Sequence, residues 1–242
     1  MAILSDARVL YHLLLSPVRG DTHAARLESF YGGQAESYDG FRQRLLQGRA
    51  EMVQSLDLAE GAVWVDLGGG TAQNLEYAGE RVARLARVYT VDLSPSLLDV
   101  ARRRAADRGW HNVSVVEGDA TTFTPDEGQA DLVTFSYSLT MIPDWFAALE
   151  NALRILRPGG RLGVVDFHVS RKYPDDGRVR HGWPARTLWP AWFALDNVFL
   201  SPDHLPWLCR HLQCEVCQER RARVPYVPFV RVPWYIFVGR RG

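Results

Sequence analysis

AVWVDLGGG, residues 62–70, is an apolar, β-rich run that ends in an acid and three glycines. Such a run reads as a buried strand followed by a turn. Glycine removes the side chains that would keep a ligand from the backbone of that turn. Downstream, the same pattern repeats. A helical segment covers roughly 73–86, and RVYTVDLSPS makes a second strand that ends at Asp92 with a helix start at Ser94-Pro95. The helix at about 95–108 ends at Gly109, NVSVVEGDA supplies a third strand with Asp119 just beyond it, and ADLVTFSYSL supplies a fourth. Asp144 caps a helix whose end is set at Pro158-Gly159-Gly160, and RLGVVDF makes a fifth strand.

Five strand–helix units in succession require a parallel sheet covered on both faces. After Phe167 the pattern breaks. Residues 168–200 are rich in Trp, Arg and Pro, with a helix expected over 187–200. A further helix at 202–212 and strands near 214–220 and 232–239 make a closing antiparallel pair. The expected fold is therefore α/β: a Rossmann-like, open, seven-stranded, mostly parallel sheet with helices on both faces, in a single domain over 1–242.

Composition narrows the function classes. Hydrophobic residues are 47% and charged residues 23% of the chain, ordinary globular values, and no apolar run is long enough to span a bilayer. The formal net charge is zero and Lys172 is the single lysine among 28 basic residues, so no global field favours nucleic acid. Cys214-x-x-Cys217 has the spelling of a redox or zinc motif, but no second such pair accompanies it and no helix-opening turn presents it. With Cys209, these cysteines are expected to be buried reduced thiols in a reducing cytoplasm. The first twenty residues lack a basic leader and a cleavage site; Leu10, Leu13 and Leu14 mark a short amphipathic helix that packs on the body or rests on a membrane.

The acids define the ligand. Asp92, at the end of the second strand, stands where a carboxylate accepts both hydroxyls of a ribose. Dehydrogenases share that feature and a small residue such as Ala72. They generally lack an acid opening the glycine turn (Asp66), an acid after the third strand (Asp119) and an aromatic-rich fourth strand, DLVTFSYSLTMIPD. This set resembles the class I methyltransferase motif series. The resemblance implies S-adenosylmethionine as donor, with Gly68 and Gly70 at its methionine portion, Asp92 at its ribose, and Asp66, Leu93 and Tyr31 among the other residues that hold it. The segment Gly118-Asp119-Ala120 would hold the adenine, with Ser136 and Tyr137 at the reacting end.

FYGGQAESYDGFRQRLLQGR (30–49), WVDLGGGTAQN (64–74), TVDLSPSLLDVAR (90–102), TFSYSLTMIPDW (134–145), GVVDFHVSR (163–171) and LWPAWFALDNVFLSPDHLPWL (188–208) resemble the methyltransferase half of betaine-lipid synthases. That family trimethylates the amine of diacylglyceryl homoserine. The likeness implies a lipid acceptor, a membrane surface and a separate 3-amino-3-carboxypropyl transferase as partners, and a cytoplasmic protein peripheral to the inner face of the membrane. It divides the chain into a helical lid segment (1–50), a donor-binding core (51–167), a Trp/Arg-rich acceptor insertion with its helix (168–212) and closing strands (213–242).

In-line transfer of a sulfonium methyl to nitrogen draws on alignment and desolvation and needs no covalent intermediate. Tyr31, Tyr38 and Tyr137 are candidate rings for a methylated ammonium. Tyr38 lies in a segment that is either a lid or a helix packed on the sheet; Arg49 either pairs with the donor's carboxylate or is solvated. His168 is a candidate acceptor of the amine proton, or a hydrogen-bonded turn residue. Arg171, Arg186 and Trp189 are expected at the acceptor, and Trp183, Trp189, Trp192 and Trp207 either meet lipid or fill core. Other acceptors in view are phosphatidylethanolamine and a quinone precursor; a non-catalytic donor-binding partner is the reading from a different class. No metal site is evident.

Overall fold

The computed structural model describes residues 45–195, 197–223 and 231–242. Tyr31, Tyr38 and the helix expected near Leu10–Leu14 lie outside the described residues.

A short helix α1 (Arg49–Gln54) leads into β1 (Val63–Leu67), α2 (Gln73–Ala78), β2 (Arg87–Asp92), α3 (Pro95–Asp107), β3 (Val113–Glu117) and β4 (Ala130–Ser136). Then follow α4 (Trp145–Ile155), β5 (Leu156–Phe167), α5 (Trp183–Ala194), α6 (His204–His211), β6 (Gln213–Arg223) and β7 (Arg231–Arg240). The seven strands form one sheet in the order β3-β2-β1-β4-β5-β7-β6. β1 to β5 are mutually parallel, and β7 runs antiparallel to both β5 and β6. This is the open, mostly parallel sheet that the alternation dictates.

The two faces of the sheet bury separate clusters, as strand alternation requires. Trp64 points with Val165, Ile236 and Val238 to the face carrying Met52 and Val53 of α1, Leu75 of α2 and Trp189 and Phe193 of α5. Val65, Leu67, Phe135, Val164 and Phe237 point to the face carrying Leu149 and Ala152 of α4 and Leu205 and Leu208 of α6. Fully burying one such apolar side chain contributes roughly 1.5–3 kcal/mol, so the four buried apolar residues of β1, Val63, Trp64, Val65 and Leu67, are a large local anchor.

Three boundaries differ from the sequence reading. The helix expected over 73–86 is α2 followed by a 3-10 turn, Gly79–Arg84. Gly79 takes φ 60, ψ −134, a conformation open to glycine alone, and so ends the α-helix early. The Pro158-Gly159-Gly160 stretch does not end α4. The chain is already extended at Leu156, and the stretch is tied to the C-terminus by Gly159 N–H to Arg241 O and Arg241 N–H to Gly160 O, both 2.8 Å. α5 begins four residues before its expected start of 187, because Pro184 suits a first turn, where its missing N–H costs nothing.

The cysteines are also less buried than expected: Cys209 and Cys217 are half-buried and Cys214 is exposed. For Cys214 and Cys217 the cause is topological, because they lie on β6, the edge of the sheet.

Candidate functional site

The strand order turns back between β1 and β4, from which the chain builds outward in both directions. Open α/β sheets bind ligands at the carboxyl ends of strands at such a point. A cavity of about 310 Å³ lies there, lined by the glycine turn after β1, by Asp92 and Leu93 after β2, by Gly118 to Thr121 after β3, and by Ser136 to Ser138 after β4. Arg49 closes one side and Met141, Ile142, Pro143 and Asp144 another.

The glycine turn is held from three directions. Gly68 and Gly69 donate their N–H groups to the Val91 carbonyl at 2.8 and 3.0 Å. Gly70 N–H donates to Asp92 Oδ2 at 2.9 Å, while Ser94 N–H donates to Asp92 Oδ1 at 3.0 Å. Gly68 has φ 68, and a Cβ there would stand 2.4 Å from the Ser138 Cβ, so conformation and space both demand glycine.

Beneath the turn is a buried polar chain. Trp64 Nε1 donates to Thr134 Oγ1 at 2.8 Å, Thr134 Oγ1 donates to Asp66 Oδ1 at 2.6 Å, and Asn74 Nδ2 donates to both Asp66 oxygens at 3.0 Å. Burial drives the Asp66 carboxyl up to about 6, although Thr134, Asn74 and the charge of Arg49 pull it down. Asp66 is wholly buried and does not line the cavity. Expected at the ligand, it instead stands behind the turn, because the pleat aims it into the sheet and Asn74 and Thr134 take its oxygens.

Gly68, Gly70, Asp92, Leu93, Asp119, Ala120, Ser136, Tyr137 and Arg49 are brought together around the cavity. Asp119 is oriented by Thr121, whose N–H and hydroxyl both donate to Oδ1 at 2.8 Å. Arg49 is 8% exposed, so the solvated alternative gives way to a guanidinium held 5.7 Å over the Tyr137 ring. Tyr137 has φ 55, an uncommon conformation for a residue with a side chain, of the kind that clusters at functional sites. Its hydroxyl donates to the Gln47 carbonyl at 2.6 Å. Burial and the nearby Asp166 push that hydroxyl well above its usual range, so it remains a donor at neutral pH.

Four expected residues stand elsewhere. His168 N–H donates to the Pro233 carbonyl at 3.2 Å, which continues the β5–β7 ladder and turns the ring to the α6 face, 5.3 Å from Tyr235. There it is 3% exposed and 3.5 Å from Glu219; burial first, then His181 and His204, lower its pKa to about 3. It is a neutral ring outside the cavity. Arg171 is bound to Asp203 at 2.6 Å, Arg186 is half-buried on α5, and Trp189 packs inward against Phe193. None of them lines the cavity.

The sequence reading missed Asn74 and the Met141–Asp144 wall. The i, i+8 placement of Asn74 from Asp66 across a glycine turn is a usable signal. The wall follows from a 3-10 turn, Leu139–Met141, pinned by Asp166, whose carboxylate accepts from Thr140 N–H at 3.1 Å and Thr140 Oγ1 at 2.7 Å. Among the described residues no cluster of three His, Cys, Asp or Glu is placed to hold a metal ion.

A glycine turn at the switch point, an acid after β2 and another after β3, in this strand order, make up a Rossmann-like fold of the kind that methyltransferases share. The family described as a methyltransferase domain matches residues 65–160. The demethylmenaquinone methyltransferase of Staphylococcus saprophyticus is 30% identical over 118 residues, 49% of this chain and 50% of that protein. The chain thus spans about half the length of the curated relatives it matches first. The fold is shared with an S-adenosylmethionine-dependent methyltransferase from Aquifex aeolicus (TM-score 0.57, 16% identity, 87% of this chain and 98% of that one). It is also shared with phosphoethanolamine N-methyltransferase 2 of Haemonchus contortus, solved with phosphomonomethylethanolamine and S-adenosylhomocysteine (TM-score 0.65, 12% identity, 90% and 59%). No helix among the described residues is long and apolar enough to cross a membrane.

Proposed function

We propose that this protein transfers a methyl group from S-adenosylmethionine to a lipid-borne acceptor. One observation carries the reading: a single cavity joins the glycine turn, Asp92 and Asp119 to an apolar wall at Met141, Ile142 and Pro143. In this reading Asp92 accepts from the ribose hydroxyls, Asp119 and Ala120 meet the adenine, and Gly68 and Gly70 pass beside the methionine portion. Arg49 pairs with the methionine carboxylate. The donor supplies an electrophilic sulfonium methyl. The chain's own groups orient it and exclude water, with Ser136 and the Tyr137 ring facing the acceptor. Tyr31 and Tyr38 remain candidates for the same acceptor from the N-terminal segment.

Two acceptors draw support from different observations. The curated relatives are named for quinone methylation, which favours a prenylated quinone precursor and transfer to carbon. The likeness of residues 163–171 and 188–208 to betaine-lipid synthases, outside the matched 65–160 segment, favours the amine of diacylglyceryl homoserine and three transfers to nitrogen, with a separate 3-amino-3-carboxypropyl transferase supplying that lipid. Both acceptors carry long apolar chains.

The route for such a chain runs along exposed apolar side chains. Phe199, 53% exposed, has its N–H bonded to the Thr140 carbonyl at 2.7 Å, beside the Met141 wall. Leu188 and Leu195 of the same insertion are also exposed, as are Lys172 and Arg180, and this composition suits contact with a membrane surface.

Mass spectrometry after incubation with S-adenosylmethionine and each acceptor in mixed micelles tests the reading, with phosphatidylethanolamine as a third arm. One added methyl on the quinone precursor alone assigns carbon transfer; up to three on the homoserine lipid alone assign nitrogen transfer. Donor binding with no acceptor methylated overturns lipid methylation and leaves a binding role.

A further inference from the structure

On the sheet face away from α1, the insertion, α6 and the edge strand meet at two sulfurs. Arg178 Nη2 donates to Cys209 Sγ of α6 at 3.1 Å, and Arg178 Nη1 donates to Cys217 Sγ of β6. The sequence spacing singled out Cys214-x-x-Cys217, yet the guanidinium selects Cys209 and Cys217. The register of β6 explains the orientation. Cys214 pairs with Gly239, Val216 with Val238 and Cys217 with Phe237, so Glu215 is an extra residue in the strand. The bulge sets Cys217 on the side of Phe237, where α6 packs.

We propose that Cys209 and Cys217 form a hydroperoxide-reactive dithiol, with Cys209 the attacking thiolate and Cys217 the resolving thiol. Three features carry this. One guanidinium contacts both sulfurs, so a negative charge on Cys209 is met by a fixed cation. The Cys217 thiol proton directed at the Cys209 sulfur, together with Arg178, lowers the Cys209 pKa against the effect of burial and holds Cys217 protonated. Cys209 also lines a small cleft that a peroxide fits.

The chemistry balances with a hydroperoxide as oxidant. The Cys209 sulfur attacks one peroxide oxygen, the O–O bond breaks, and the departing oxygen leaves as hydroxide and takes a proton to become water. The Cys217 sulfur, its proton passed to solvent, then attacks the sulfenic sulfur of Cys209; the S–O bond breaks and a second water leaves. Two thiols are oxidised by two electrons and one hydrogen peroxide becomes two waters. The disulfide staples α6 to the edge strand and removes the anion that faces Arg178, at the base of the insertion.

The full chain is treated with hydrogen peroxide and mapped by non-reducing peptide mass spectrometry. The expected product is a Cys209–Cys217 disulfide, reversed by dithiothreitol, with exposed Cys214 as the internal comparator. In Cys217→Ser, dimedone is expected to trap a sulfenic acid at Cys209. In Arg178→Gln, the oxidation rate at neutral pH is expected to fall roughly 10-fold through loss of thiolate. Should that variant fail to fold, the pH profile of Cys209 alkylation in the unaltered chain decides, with an inflection below that of an ordinary free thiol expected. The groups facing Cys209 in that titration are Arg178, Asp175, Glu219, Cys217, Cys214, His168, Arg171 and Tyr235. Modification of Cys214 ahead of Cys209, or a disulfide that includes Cys214, overturns the proposal.

Discussion

The Tyr137 hydroxyl, 2.6 Å from the Gln47 carbonyl, ties the end of β4 to the segment that precedes α1, across one side of the cavity. A tyrosine first singled out for its ring therefore also acts as a strut. In Tyr137→Phe the ring stays and the strut goes. A neutral hydrogen bond contributes about 0.5–1.5 kcal/mol net. S-adenosylhomocysteine binding, followed by calorimetry, is expected to weaken roughly 2- to 10-fold as Arg49 loosens. Unchanged affinity would show that the strut does not reach the ligand.

Under the proposed function, Asp92 is the residue whose loss is expected to cost most in donor affinity. Its carboxylate organises Gly70 and Ser94 and in the proposed reading would accept from ribose, and hydrogen bonds to a charged group contribute about 1.5–3 kcal/mol each. Asp92→Ala is expected to weaken donor binding by at least ~100-fold, with circular dichroism unchanged. Asp119→Ala, whose partner is its own Thr121, is expected to cost about tenfold. Reversal of that ranking would move the ribose to the other acid.

Gly68→Ala meets two obstacles, the Ser138 Cβ at 2.4 Å and a φ of 68. Ser138→Gly relieves the first alone. Chemical denaturation is expected to show Gly68→Ala destabilised by about 1–3 kcal/mol, with partial recovery in the double variant. Donor binding should be lost in both. Full recovery would locate the whole cost in the clash.

Asp166 gives stability a pH dependence of defined sign. Burial raises its pKa from 3.8 to about 6, against hydrogen bonds from Thr140 and Phe167. The folded protein thus holds a proton that the unfolded chain releases between these values. The contribution is complete below about pH 4 and lost as pH rises through 6, a change of roughly 3 kcal/mol at most. The stability of the parent relative to Asp166→Asn is expected to fall across pH 4–7 in urea titrations. A flat difference would mean the carboxylate stays ionised throughout.

How far the sequence was legible depends on the range of the forces involved. Strand and helix identity is local: VWVDL and PSLLDVARRRAAD declare themselves by composition and spacing, as Asp92 does by ending an apolar run. The direction of a side chain beyond a strand end is not local. His168 faces α6 because Phe167 pairs with Trp234 and the ladder runs one residue further, which depends on a strand some sixty positions away. The tryptophans show the same limit. Trp183 is 71% exposed and Trp189 is 6% exposed on the same helix, and α5 lacks the strong polar–apolar division that would have told them apart. Cys217 was unreadable for a third reason, a bulge that its own strand does not announce.

The buried chain from Trp64 through Thr134 and Asp66 to Asn74 has a thermodynamic consequence. Because the glycine turn is cast by contacts that exist without a ligand, it surrenders little freedom when one arrives. Such preorganisation leaves more of the interaction energy available as affinity. Under the proposed function, the preorganised turn would receive the common reagent, and adaptability would be left to the exposed insertion, where acceptors of different shape would have to be told apart.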